Sequence, residues 1–376
     1  IFFLMLCMIL VSCTGQKTGK ENDNNDKIAI EVGEIKFPPQ DVLQLKSYYL
    51  SSSVHVDSID YLIGYNYRLH SLDCMNLKSK SVTQIVLPGD GPDAIVRLSG
   101  IYAQSLDSVW ISDESERAFL IDSVGTIKRM IDLKKYLEDQ EQLLINTNYA
   151  MFTSHLFYNA SRHSLMFLVK HTPSNTFIVK EAFIDEVGKM ATYQLSSSKV
   201  VPDMSKGYAY INFPNVNFVG ENIVYNYPVE SSIYMLDIRT NERKYILADS
   251  HYTSNIIEKC TTSGDYATLE KHWLENSHFY DIMYLPKYKI YARLHADKVD
   301  FDEKKGMEKL INERDLYLML FDENMEKIGE TKLSNCRYSP FTSWNATYGG
   351  IALFVDNVLD EKNNTDDLTI DIISLK

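Results

Sequence analysis

The chain has 376 residues, of which 45 % are apolar and 24 % charged, the balance of an ordinary globular protein rather than a disordered or multi-span membrane chain. A formal net charge of −13 excludes the basic footprint that nucleic-acid binding needs. The 25 Tyr, 16 Phe and 3 Trp favour strands over helices.

Residues 1–12 carry no charge and are nearly all apolar. The run is too short to span a bilayer as a helix and has the length of a signal-peptide core. It closes on Leu10-Val11-Ser12-Cys13. An aliphatic residue, a small residue and then Cys resembles the bacterial lipoprotein signal. That resemblance implies cleavage before Cys13, diacylation of its thiol, and an address in the cell envelope. Two acyl chains give stable anchoring where one is marginal. Thr14 follows the Cys where an Asp would resemble an inner-membrane retention signal, so the expected address is the outer membrane, on either face. Residues 13–26 are polar and poor in core-forming side chains, which predicts a disordered tether. Residues 27–376 are left to fold.

Of the five cysteines, processing removes Cys7 and lipidation uses Cys13. Cys74, Cys260 and Cys336 remain, an odd number without a CxxC. A disulfide framework or a zinc site is not expected, and three buried thiols is the simpler reading.

One pattern then recurs down the chain: an aliphatic or aromatic residue, Asp, a polar turn, and an alternating segment. The dipeptides are Leu72-Asp73, Ile121-Asp122, Ile184-Asp185, Leu236-Asp237, Phe321-Asp322 and Ile370-Asp371, at intervals of 49, 63, 52, 85 and 49 residues. Each Asp is expected to start a turn by accepting backbone N–H bonds two residues on, a structural rather than catalytic task. Short strand-like runs precede every dipeptide. Three or four short strands per unit of about 50 residues is the pattern of a β-propeller blade. The expected fold is therefore all-β, a six-bladed propeller. Its last unit lacks a final strand, and the alternating run Lys27–Phe37 has no blade of its own. The N-terminal strand is expected to close the last blade, leaving no open edge there. Two insertions break the rhythm. Ala248–Ser277 holds a short helical pattern, and Asp297–Glu313 is charged and reads as a short amphipathic helix or a mobile lobe.

Around the first repeat, the loop Gly89-Asp90-Gly91-Pro92, the run Val109-Trp110-Ile111-Ser112-Asp113, Arg117 and Gly125 are similar to NHL-type blades of Bacteroidetes six-bladed propeller lipoproteins. Tyr280-Asp281 followed by Ile290-Tyr291-Ala292-Arg293 resembles a pattern in a branch of those lipoproteins built on a domain of unknown function. The resemblance implies a fold and an envelope address. It carries over no catalytic residue.

No HExxH, GxSxG or EF-hand loop is present, and the glycine loop lacks the Gly-Lys-Ser/Thr ending of a phosphate loop. No cofactor or metal is expected. Binding chemistry is sought instead on the innermost strands, which line a propeller's channel. These are read as Ser52–Asp57, Val96–Ala103, Met151–Tyr158, Asn212–Val219, His278–Leu285 and Pro340–Thr347. The candidate ligand-binding residues are Arg97, His155, His278, Asp281 and Trp344, with His55 and Asn217 beside them. Polar groups with an aromatic at a concave mouth suit a glycan or peptide. His55, His155 and His278 fall on alternate blades and would meet only if all three faced the axis. The expectation is a binding lipoprotein, for a glycan, peptide or protein partner, rather than an enzyme. A propeller hydrolase or lyase and a scaffold subunit of an envelope complex are the alternatives.

Overall fold

The computed structural model describes residues 29–376 apart from 40–42, 44, 146–151, 187, 202–206, 209–210, 261–264 and 363–365. The expected signal peptide, Cys13 and the tether lie outside the described residues. Six antiparallel sheets follow one another along the chain and meet around an axis. Strand β1 (Ile30–Phe37) comes first. Blade one is then β2 (Ser51–Val56), β3 (Ile59–Asn66), β4 (Ser71–Asn76) and β5 (Val82–Val86). Blade two is β6 (Leu98–Ser105), β7 (Ser108–Asp113), β8 (Arg117–Ile121) and β9 (Ile127–Asp132). In blade three, β10 (Glu141–Leu143) and β11 (Phe157–Asn159) share one edge of β12 (Ser164–His171), followed by β13 (Thr176–Phe183) and β14 (Met190–Gln194). Blade four is β15 (Asn215–Val219), β16 (Asn222–Asn226), β17 (Ile233–Asp237) and β18 (Arg243–Ile246). Blade five is β19 (His278–Leu285), β20 (Ile290–Ala296), β21 (Leu316–Phe321) and β22 (Lys327–Lys332). Blade six is β23 (Trp344–Ala346), β24 (Ile351–Phe354) and β25 (Leu368–Leu375), completed by β1.

The closure is as the sequence predicts. β1 pairs antiparallel with β25 along its whole length, from Ile30 opposite Leu375 to Phe37 opposite Leu368. Arg337 ties the seam, donating to both oxygens of Asp371 and to Glu34 of β1.

Burial on both faces of each blade explains why its middle strands read as near-continuous apolar runs. Successive side chains point to opposite faces. In β12, Leu165, Phe167 and Val169 pack toward blade two, while Met166 and Leu168 pack toward blade four. In β7, Val109 and Ile111 join blade one, and Trp110 joins blade three. The core is accordingly divided into apolar clusters between neighbouring blades. Each fully buried Leu, Ile or Phe in them contributes about 1.5–3 kcal/mol.

The six repeated Asp residues divide by where the third strand of each blade stops. Asp122, Asp237 and Asp322 end a strand and accept the expected turn bonds, Asp122 from the N–H groups of Val124 and Thr126. Asp73 and Asp371 instead lie inside β4 and β25 and are buried, held by the hydroxyls of Tyr48 and Tyr338. In blade one the turn bonds pass to Asn76. Asp185 is exposed and faces Arg129 across a blade boundary.

The glycine loop behaves as a connector. Gly91 adopts φ +86°, and the loop carries the chain from β5 to β6. Gly125, at φ +86° in the β8–β9 turn, lies so close to the backbone of Val86 that a side chain would collide with blade one. Asp113 and Arg117 form a buried-to-surface pair at 2.7 Å, and Arg117 also donates to Ala94 O. Arg293, from the second recurring pattern, is fully buried. It donates to the carbonyls of Ser231 and Ala248 in blade four while lying between the rings of Phe279 and Phe321. It fastens blade five to blade four.

Both insertions contain helix. α1 (Tyr266–Leu274) buries Trp273 and Leu274, and α2 (Met307–Asn312) buries Leu310 and Ile311. The second insertion is therefore packed rather than a loose lobe. Arg314 joins the two, donating to the carbonyls of Trp273, Asn276 and Asp297. No helix among the described residues is long and apolar enough to cross a membrane. Cys74, Cys260 and Cys336 are free thiols. Only Cys74 is buried, against the expectation of three, because Cys260 and Cys336 sit in connections rather than strands.

Candidate functional site

The inner strands of blades one, two, four and five are those the sequence suggests, within a few residues, whereas in blades three and six the expected runs Met151–Tyr158 and Pro340–Thr347 hold only the short strands Phe157–Asn159 and Trp344–Ala346 at or near their ends. Their packing closes the ring, with β2 against β6 and β23, β6 against β11, and β19 against β15 and β23. Between blades three and four the ring is closed by a parallel bridge from Ser154 to Val216. Around the axis these strands enclose a cavity of about 320 Å³, at the small end of the range for ligand pockets.

The centre of this cavity is Asp281. A register shift in β19 between Phe279 and Ile282 turns the strand locally and aims the Asp281 carboxylate at the channel. One oxygen accepts the indole N–H of Trp344 at 3.1 Å, and the other faces His155 Nε2 at 2.9 Å. Three inner strands or their approaches, from blades three, five and six, thus converge on one carboxylate. Asp281 is buried, whereas the His155 side chain keeps 20 % of its surface exposed. His155 Nδ1, the other ring nitrogen, has no hydrogen-bond partner among the described residues.

The remaining wall is hydroxyl, amide and ring. Ser52 Oγ accepts the N–H of Ala103, which leaves its own hydrogen to give. Asn345 donates to Ser51, and Asn217 donates to the carbonyl of Ile282. Tyr102, Phe157 and Tyr284 supply aromatic surface. No Lys or Arg lines the cavity among the described residues. Ser52, Asn345 and Tyr102 were not singled out in the sequence, and the run Ser51-Ser52-Ser53 carries no signal by which to find them.

The structure separates the other sequence candidates from this cavity. Arg97 precedes β6, is 64 % exposed, and lies by the Tyr49 ring between blades one and two. His278 opens β19 and is fully buried beneath α1, where the Trp273 indole donates to its Nδ1 at 3.3 Å. Burial holds its pKa well below the ordinary value, so the ring is neutral. His55 sits on the rim, bonded to Asp60 and stacked on Tyr348 at 4.3 Å. The three imidazoles do not meet. No group of three metal-ligating side chains occurs among the described residues.

A family model described as a domain of unknown function, DUF4221, matches residues 21–332. The chain belongs to the DUF4221 family. A crystal structure of a DUF4221 member from Bacteroides vulgatus superposes with a TM-score of 0.74 at 14 % identity, over 94 % of this chain and 99 % of that one. A protein of Bacteroides fragilis described as exported superposes with a TM-score of 0.56 at 13 % identity, over 93 % and 97 % of the two chains. At such identities the likeness speaks for the fold alone. No curated protein matches the chain. The DUF4221 match spans β1 to the last strand of blade five, so it includes Asp281 and His155 but not Trp344.

Proposed function

We propose that this DUF4221 protein is an envelope lipoprotein, acylated on Cys13, whose propeller binds a neutral, hydroxyl-rich ligand at the mouth of its central channel. The observation that carries the reading is the Asp281 carboxylate fixed between Trp344 and His155 in a cavity with no cationic side chain. Its charge already has two N–H donors, and an anionic ligand would meet no compensating cation. Hydroxyl donors and acceptors beside aromatic faces suit a sugar ring, so a glycan is favoured over a peptide or protein partner. The export of a structural relative is in keeping with the address.

Binding is tested by screening the purified protein and its His155→Ala and Asn345→Ala variants on arrays of neutral glycans and peptides. Wild type should retain neutral glycans, and both variants should bind at least tenfold more weakly while melting cooperatively. Identical profiles for all three proteins would refute the site. Anchoring is tested separately. Cys13→Ser should move the protein out of the membrane fraction, and continued partition with membranes would reject the lipid anchor.

A second reading has its own observation. An imidazole oriented by a carboxylate, with its free nitrogen toward a cavity, is the arrangement of a general base. The Ser51 and Ser53 hydroxyls bond Ser343 and the carbonyl of Ala346, Ser52 Oγ accepts from Ala103, and no serine hydroxyl is bonded to His155 among the described residues. The base would act on a water or a ligand hydroxyl, as in a hydrolase or lyase. Turnover of a retained glycan, lost in His155→Ala, would favour it.

A further inference from the structure

A second cleft, of about 750 Å³, opens between blades one and two. It lies on the face where the inner strands begin, since Tyr49 stands two residues before the first strand of blade one and Arg97 directly before that of blade two. The channel cavity is lined by a separate set of residues, none shared with this cleft, and extends to Gly220 and Pro286 past the inner strands of blades four and five.

The cleft is built from aromatic rings and one charge. Tyr49 meets Tyr65 edge-on at 6.1 Å and Tyr67 at a tilt at 6.0 Å. Tyr67 is half exposed and presents its ring to solvent. Tyr65 contacts His70 Nδ1 at 3.1 Å, while His70 Nε2 is buried without a hydrogen-bond partner. The Arg97 guanidinium lies 5.6 Å from the Tyr49 ring centre. Arg97 is the only charged side chain lining the cleft among the described residues, apart from any charge on His70. Its one ion pair, to Glu114 at 3.5 Å, joins two largely exposed side chains and is worth little. The planar guanidinium carries five N–H donors, more than Glu114 and the Tyr49 hydroxyl beside it can take, and its fork matches a carboxylate.

We infer that this cleft is a second ligand site, for an acidic sugar: a pyranose ring bearing a carboxylate, as in a uronate residue of a glycan. The carboxylate takes the Arg97 fork, and the C–H face of the ring lies on the exposed tyrosine. The lining differs from the channel's in charge: the channel offers a carboxylate and no cation, whereas the one formally charged side chain lining the cleft among the described residues is Arg97, with the Glu114 carboxylate 3.5 Å from its Nε.

The experiment is calorimetric titration of the full chain with trigalacturonate and with its fully methyl-esterified, uncharged counterpart. The acid should bind and the ester should bind at least tenfold more weakly. Arg97→Ala should cost at least tenfold, Arg97→Lys should restore part of the affinity, and Tyr67→Ala should weaken binding further. Both sites of substitution are exposed, so folding is not at stake. His155→Ala should leave this titration unchanged, which separates the cleft from the channel. Equal binding of acid and ester, no binding of either, or indifference to Arg97→Ala would overturn the inference. Binding of a glutamate-rich peptide in preference to trigalacturonate would overturn it as well, by placing a protein partner there.

Discussion

A chain beginning at residue 38 should lose its cooperative fold, or melt about 7 °C or more below one beginning at residue 29, and should aggregate. Truncation removes β1, whose eight residues all pair with β25. It takes away Phe37, which is fully buried with Tyr48, Phe354 and Ile370 at the junction of blades six and one. It also leaves β25 as an unpaired edge, a template for pairing between chains. Losing one buried Phe costs about 1.5–3 kcal/mol. With the lost ladder the total reaches roughly 5 kcal/mol or more, a large share of the stability of an ordinary domain. At about 2.1 cal/mol/K of unfolding entropy per residue, each kcal/mol moves the Tm of a propeller of roughly 350 residues by about 1.4 °C. Glu34→Ala is the comparison, because it breaks only the partly exposed ion pairs to Arg337 and Lys36 and should cost less than about 1 kcal/mol. Thermal melts of the two truncations and this variant decide the matter. Equal melting of both truncations would remove β1 from the blade.

Asp281→Ala should destabilise the protein by about 2–4 kcal/mol and abolish glycan retention at the channel. Removing the carboxylate abandons two donors, the Trp344 indole N–H and His155 Nε2–H, and each lost partner costs about 1–3 kcal/mol when buried. Trp344 is almost wholly buried and cannot turn to solvent, while His155 is partly exposed and can. Asp281→Asn keeps one acceptor oxygen and should lose about half as much stability. Urea unfolding gives the comparison. If Asp281→Ala unfolds at the wild-type midpoint, the carboxylate is not held by these two donors, and the site built on it falls.

Much of the architecture was legible in advance because a propeller repeats. Each blade buries both faces, so its strands read as short apolar runs, and six copies of the pattern reinforce one another. That redundancy is why the sequence pattern of blade five coincides with its inner strand His278–Leu285 at both ends, and why Lys27–Phe37, an alternating run without a blade, pairs with the blade that lacks a strand. The site was less legible, since it depends on where single side chains point. Position on an inner strand points equally to Asp281, His155, Trp344, Arg97 and His278, yet only the first three meet at the channel.

The amino-acid order alone determined the number of blades, the strand that closes the ring and the chemistry available near the axis, because period-two alternation and a repeated unit are properties of the chain itself. Only the tertiary structure decided which of those groups meet. A register shift in β19 aims Asp281 inward, α1 seals His278 beneath Trp273, and Arg97 falls just outside its strand onto a tyrosine. Asp281 and His155 stand 126 residues apart in sequence and 2.9 Å apart in space. Such a contact is created by ring closure, and a side-chain period of two makes a one-residue shift enough to turn a group from the channel into the blade.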